Sequence, residues 1–135
     1  MEYEDVLDQL LTEVNRVYKE QNTLTDEVLS ALQYVLEGHV LLAALDVVDR
    51  KRISRLLSPS GRFVYQVIGS SGTPYTMTKA CNYCSCPAFK FSVLKRRDGL
   101  LCKHLLAIKL AGAMEVINQV EVSNQHLTEA FSMIV

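Results

Sequence analysis

The sequence predicts an α+β domain: N-terminal helices, a small antiparallel β-meander, and a metal-binding segment that leads into C-terminal helices. Three observations carry this prediction. Apolar side chains recur at helical spacing through the first fifty residues. The pattern then shortens to segments rich in β-branched and aromatic residues, set between two glycine-containing turns. All four cysteines, Cys81, Cys84, Cys86 and Cys102, fall within 22 residues, with His104 just after them. A chain of 135 residues, 49% hydrophobic and 21% charged, has the material for one core and not for two.

The first helix is read from Tyr3 to Lys19, where Tyr3, Val6, Leu7, Leu10, Leu11, Val14, Val17 and Tyr18 form one apolar stripe. Early carboxylates, Glu4 and Asp5 among them, suit the positive end of a helix. Asn22 and Thr23 interrupt the pattern. Thr25 is placed as the N-cap of a second helix, followed by Asp26 and Glu27, with Gly38 as its C′ residue. Val40 to Val48 forms a third helical stretch, either separate or a kinked continuation of the second. Ile53–Leu57, Phe63–Ile68 and Tyr75–Thr78 read as strands, divided by the turns Ser58-Pro59-Ser60-Gly61 and Gly69-Ser70-Ser71-Gly72. Pro87 suits the first position of a further helix. Helical pattern returns from Cys102 to Ile117, and a last helix begins at Ser123 or Asn124 with Leu127, Phe131 and Ile134 on one side. The expected organisation is residues 1–50 helical, 51–80 meander, 81–111 metal-binding finger and 112–135 a C-terminal helical segment, all in one compact domain.

The net charge of −1 conceals an asymmetry: −8 for residues 1–50, +10 for 51–111 and −3 for 112–135. A middle segment this basic is a candidate polyanion-binding face, and the acidic first third a candidate docking surface. The alternative is that the segments neutralise one another within the fold. The longest aliphatic run, Val40 to Leu45, is far shorter than a membrane span, and the acidic opening Met1-Glu2-Tyr3-Glu4-Asp5 is the reverse of a signal peptide's. Both argue against secretion and membrane insertion. A slightly positive mean hydropathy of +0.11 points to apolar surface covered by a partner.

Zinc requires four soft or borderline donors in a tetrahedron at about 2.0–2.3 Å. Two close pairs, Cys84-Ser85-Cys86 and Cys102-Lys103-His104, each supply one edge of such a figure. The first pair suits a tight knuckle after the last strand, and the second the first turn of a helix. Cys81 is an alternative ligand, since Cys81-x-x-Cys84 is itself a knuckle spacing. Disulfides rank last, because nothing else in the chain indicates an oxidising compartment. Four protein donors leave no open position, so the site is of the structural kind, holding one Zn²⁺.

Cys-x-Cys followed by Cys-x-His, with Pro87-Ala88-Phe89 and Leu105-Leu106-Ala107 beside them, resembles the SWIM-type zinc finger. Together with Ala44-Leu45-Asp46-Val47-Val48-Asp49-Arg50, Ser58-Pro59-Ser60-Gly61-Arg62 and Val64-Tyr65-Gln66-Val67, the chain from about residue 24 to 130 is similar to the SWIM-domain subunit family of Shu recombination complexes. That resemblance assigns zinc to Cys84, Cys86, Cys102 and His104 and leaves Cys81 outside. It implies a nuclear, non-enzymatic protein that forms a heterodimer with a RecA-like ATPase paralogue. The pair would promote recombinase filament assembly on single-stranded DNA during homologous recombination repair of DNA damage. A stand-alone nucleic-acid-binding zinc finger is the alternative.

Lys90, Lys95, Arg96, Arg97, Lys103 and Lys109 surround the finger and are the candidate nucleic-acid contacts, with Lys51, Arg52, Arg55 and Arg62 upstream. Tyr75, Tyr83 and Phe91 are the aromatics available for stacking, although each more commonly packs in a core or knuckle. Gly69-Ser70-Ser71-Gly72-Thr73 lacks the lysine of a phosphate-binding loop and reads as a turn. His39 and His126 are isolated, and no nucleophile–base pair or paired carboxylates accompany the finger. The sequence is therefore read as non-enzymatic.

Overall fold

The computed structural model describes residues 3–36, 38–78, 83–86 and 102–134. Three helices come first. α1 (Tyr3–Gln21) buries Leu7, Val14 and Val17 from the predicted stripe. On its outer face Arg16 pairs with Glu13 and with Glu20, the latter at 3.1 Å. α2 (Asp26–Val35) starts at Thr25, whose side-chain oxygen accepts from the Val28 N–H at 3.4 Å. The cap thus satisfies one of the four orphan donors at the helix start.

Gly38 does not end α2. The helix stops at Leu36, which turns extended (φ −105°, ψ 150°) and buries its side chain, and Gly38 opens α3 (Gly38–Asp49). Residues 25–50 are therefore two helices, and burial of Leu36 rather than glycine's freedom sets the break.

β1 (Ile53–Leu57) and β2 (Phe63–Ile68) lie where the pattern predicts, and β3 (Pro74–Met77) is one residue earlier. Gly61 and Gly72 close the two hairpin turns at φ 85° and 87°, a region that favours glycine. The sheet is not a three-stranded meander alone. β4 (Asn118–Glu121) adds to β1 in parallel, giving the order β3-β2-β1-β4. This strand lies in the stretch expected to be helical. α4 (Lys103–Met114) ends earlier than Ile117 because Glu115 adopts a left-handed conformation (φ 60°) and donates its N–H back to Gly112 at 3.2 Å.

α4 is the centre of the molecule. Every residue from Leu105 to Ile108 is buried, as are His104, Leu110 and Ala111, so its apolar surface has no preferred side. A helix of that kind must be enclosed. α1 and α3 pack against it, and the sheet presents Ile53, Val67 and Met77 to the same core. Asn15 Nδ2 donates to the Ala113 carbonyl at 2.7 Å and fixes α1 to the far end of α4. On the opposite sheet face Leu56 and Val64 pack under α5 (Asn124–Ser132) with Leu127 and Ala130. Ser123 caps α5 by accepting from the His126 N–H at 3.0 Å. Ala130 takes the inward position expected for Phe131, which is exposed. Among the described residues no helix is long and apolar enough to cross a membrane.

Leu110→Ala, at the middle of this enclosure, is expected to destabilise the zinc-loaded protein by about 2–5 kcal/mol. Thr25→Ala should cost about 1 kcal/mol. Denaturant unfolding of the two variants measures both.

Candidate metal centre

Cys84 and Cys86 lie two apart in the irregular segment after β3, and both side chains are buried. Cys102 is the N-cap of α4, extended at φ −80°, ψ 168°, and its thiol makes no capping hydrogen bond. His104 follows in the first turn. The ligand atoms of Cys84, Cys86, Cys102 and His104 all lie within 4.8 Å of one another, and all four residues are buried.

Cys84 Sγ is 3.8 Å from His104 Nδ1. The edge of a tetrahedron with bonds of about 2.0–2.3 Å is roughly 3.3–3.8 Å, so this pair already stands at an edge length. His104 Nε2 is buried with no hydrogen-bond partner among the described residues. Three soft donors and one borderline donor, enclosed together, fit one structural zinc ion.

The same crowding is unfavourable without an ion. Although the neighbouring Cys102 thiol works to lower it, the Cys84 thiol is pushed up to about 11 by its hydrogen bond with Cys86 and by burial. Hydrogen bonds with Cys84 and Cys86, with burial, push Cys102 up as well. Thiols are held neutral where a divalent cation would make them thiolates. The positive end of α4 at Cys102 adds to that cation's effect.

Tyr75 is part of this centre. Its ring lies 4.6 Å from that of His104 with a 33° tilt, so it covers the imidazole and is not a free platform for a base. Burial first, and then the negative charge that Cys86, Cys84 and Cys102 carry once ionised, raise the phenol. Gly69 permits this placement, because a Cβ there would meet Tyr75 Cε2 at 2.9 Å. Tyr83 is half-buried against the main core. Sequence spacing pointed to these four donors, with Cys81 as the alternative, and the structure brings the four together. Spacing did not single out the Tyr75 ring or Gly69, because neither contact follows from a ligand pattern.

Lys103 and Lys109 lie on α4, both half-exposed. Cys81, Lys90, Lys95, Arg96, Arg97, Phe91 and the helix expected after Pro87 lie outside the described residues. His39 and His126 are exposed on different helices, α3 and α5.

A Cys-x-Cys knuckle joined through four buried donors to the start of a helix defines a SWIM-type zinc finger, and the SWIM zinc finger model matches residues 75–113. The likeness extends well beyond the finger. Zinc finger SWIM domain-containing protein 7 of Mus musculus is 47% identical over 125 residues, covering 93% of this chain and 82% of the mouse protein. The Homo sapiens protein of that name is 46% identical over 128 residues, 95% of this chain and 91% of its own length. A Dictyostelium discoideum homologue is 37% identical over 102 residues, 75% of this chain and 63% of that protein. The chain belongs to the zinc finger SWIM domain-containing protein 7 family. No solved structure matches it significantly.

Cys84→Ser should abolish zinc content, whereas Cys81→Ser should leave about one zinc per chain; elemental analysis with thiol titration reads both. Because the metal displaces protons from thiols held neutral, zinc affinity should fall on acidification. From pH 8 to 6 the loss is expected to reach about a thousandfold per unit if three protons are displaced, measured by chelator competition.

Proposed function

We propose that this chain is a non-enzymatic adaptor that pairs with a RecA-like ATPase paralogue in the nucleus. The pair promotes assembly of a recombinase filament on single-stranded DNA in homologous recombination repair, as the SWIM-domain subunit of a Shu complex would. The observation that carries this reading is the extent of the family relation: 93% of the chain aligns with the mouse relative, helices and sheet included. A function confined to the finger would leave the rest of the chain free to diverge.

Other features support it. Gly69-Ser70-Ser71-Gly72-Thr73 is a hairpin loop, closed by the Gly69 N–H to the Thr73 carbonyl at 2.8 Å and Gly72 N–H to Gly69 carbonyl at 2.9 Å. A phosphate-binding loop instead leads from a strand into a helix, so ATP chemistry is left to the partner. Tyr34 on α2 is 93% exposed and Leu42 on α3 63%. Exposed tyrosine and leucine on an otherwise well-packed helical layer suit a protein interface.

The charges divide in the same sense. The basic residues of the acidic helices are paired: Arg16 with Glu13 and Glu20, Lys19 with Glu115 at 3.6 Å, Arg50 with Asp46 at 3.0 Å. Among the described residues, Lys51, Arg52, Arg55, Arg62, Lys103 and Lys109 make no such pair. Six cations of the basic segment without an acidic partner among the described residues support a reading in which that segment meets phosphate.

Co-expression with a RecA-like paralogue should raise the yield of soluble chain and give a complex that survives gel filtration. Tyr34→Asp with Leu42→Asp should weaken that complex at least tenfold and leave zinc content unchanged. A soluble monomer that ignores every such paralogue and binds single-stranded DNA tightly would mean the stand-alone finger.

A further inference from the structure

One face of the sheet is only partly covered. Ile53, Val67, Tyr75 and Met77 occupy it beneath the helices, and the strand register carries it outward through Arg55, opposite Tyr65, and Leu57, opposite Phe63. These four outer residues are half-buried. The Arg55 guanidinium lies over the Phe63 ring, 4.9 Å from its centroid, and Tyr65 meets Phe63 edge-on at 5.5 Å and 76°. Arg55 Nη2 also donates to Gln119 Oε1, a neutral acceptor. No carboxylate pairs with Arg55 among the described residues. Arg62 immediately precedes Phe63 and is exposed, and Arg52 donates to the Gly69 carbonyl at 3.1 Å, likewise without a carboxylate. Glu121, opposite Leu57, bounds the patch on the β4 side.

We infer that this outer sheet face is a single-stranded nucleic-acid site, in which Arg55 leaves the Phe63 ring to meet a phosphate, a base takes its place on the ring, and Arg62 meets the next phosphate. Single-stranded chains are held by aromatic faces set in positive surface, because every base has a π-face and every nucleotide a charge. A guanidinium on a ring, with a neutral hydrogen-bond partner, provides both elements within 5 Å. The site lies on the β1–β2 hairpin, which precedes the finger in sequence. The inference deepens the proposed function by locating its DNA contact, and its test does not involve the RecA-like partner.

The chain contains no tryptophan, so Phe63→Trp places a unique fluorophore on the face. With the full zinc-loaded chain, adding an oligothymidylate of about 20 nucleotides should quench that fluorescence in step with binding. By anisotropy on the same oligonucleotide, Phe63→Leu should weaken binding about five- to a hundredfold with its salt dependence unchanged. Arg55→Gln, a surface change that keeps the fold testable should the Phe63 variants misfold, should weaken binding and lower the log–log salt slope by about 0.7. Binding without quenching, or at unchanged affinity in the Arg55 and Phe63 variants, overturns this site and leaves the adaptor reading intact. Absence of any binding overturns the site and the direct DNA contact together, and the co-expression result alone then decides the adaptor reading.

Discussion

Four buried donors at the head of α4 are the constraint on which the structure rests. The helix they introduce is buried around most of its circumference, Lys103 and Lys109 excepted, so no amphipathic stripe orients it in water. What fixes its start is the knuckle, and what fixes the knuckle is a shared ion. Structural zinc contributes roughly 10–16 kcal/mol in small fingers, against about 5–15 kcal/mol for the net stability of a whole domain. Chelation and folding are therefore one equilibrium here. The Tyr75 ring over His104, and Gly69 beneath Tyr75, extend that centre into the hairpin of β2 and β3. Sheet, knuckle and central helix meet at one point.

The separation of charge follows from the same arrangement. In the helical layer Arg16 and Arg50 pair with acids three and four residues away, and Lys19 pairs with Glu115 beyond the end of α4. Such exposed pairs cost little to form and are worth little individually. The hairpin and α4 carry cations, and Asp98 is the single acid in the sequence from Lys51 to Ala111. Folding does not bring the acidic helices against them, because α1 and α3 meet α4 through apolar faces. A chain nearly neutral in sum is thus acidic over residues 1–50 and basic over 51–111.

Much of this was legible in the residues. Ligand spacing carried over to the folded site because Cys-x-Cys and Cys-x-His are local geometry, and β1, β2, Thr25 and Ser123 followed from equally local signals. What escaped depends on long-range packing. The end of α4 carries no glycine or proline to announce it, since Glu115 takes the left-handed position itself. The four residues of β4 are all exposed, so they show no inward-facing stripe, and their partner strand is remote. Gly38 resembled a helix end, but the break was decided two residues earlier by the buried side chain of Leu36. Phe131 promised core, and the smaller Ala130 occupies it instead.

The parallel pairing of β4 with β1 bears on how the molecule assembles. Arg55 and Gln119, neighbours across that pair, stand 64 positions apart along the chain. During synthesis β1 must wait with one edge open until its companion emerges, and closing so wide a circuit loses chain entropy before it gains contacts. The ion lies inside that circuit, joining Cys84 to His104 across only 20 positions. Capture of the metal would draw the inner loop shut first and shorten the search left to the outer one, so that the ion serves as an assembly cue as well as a brace.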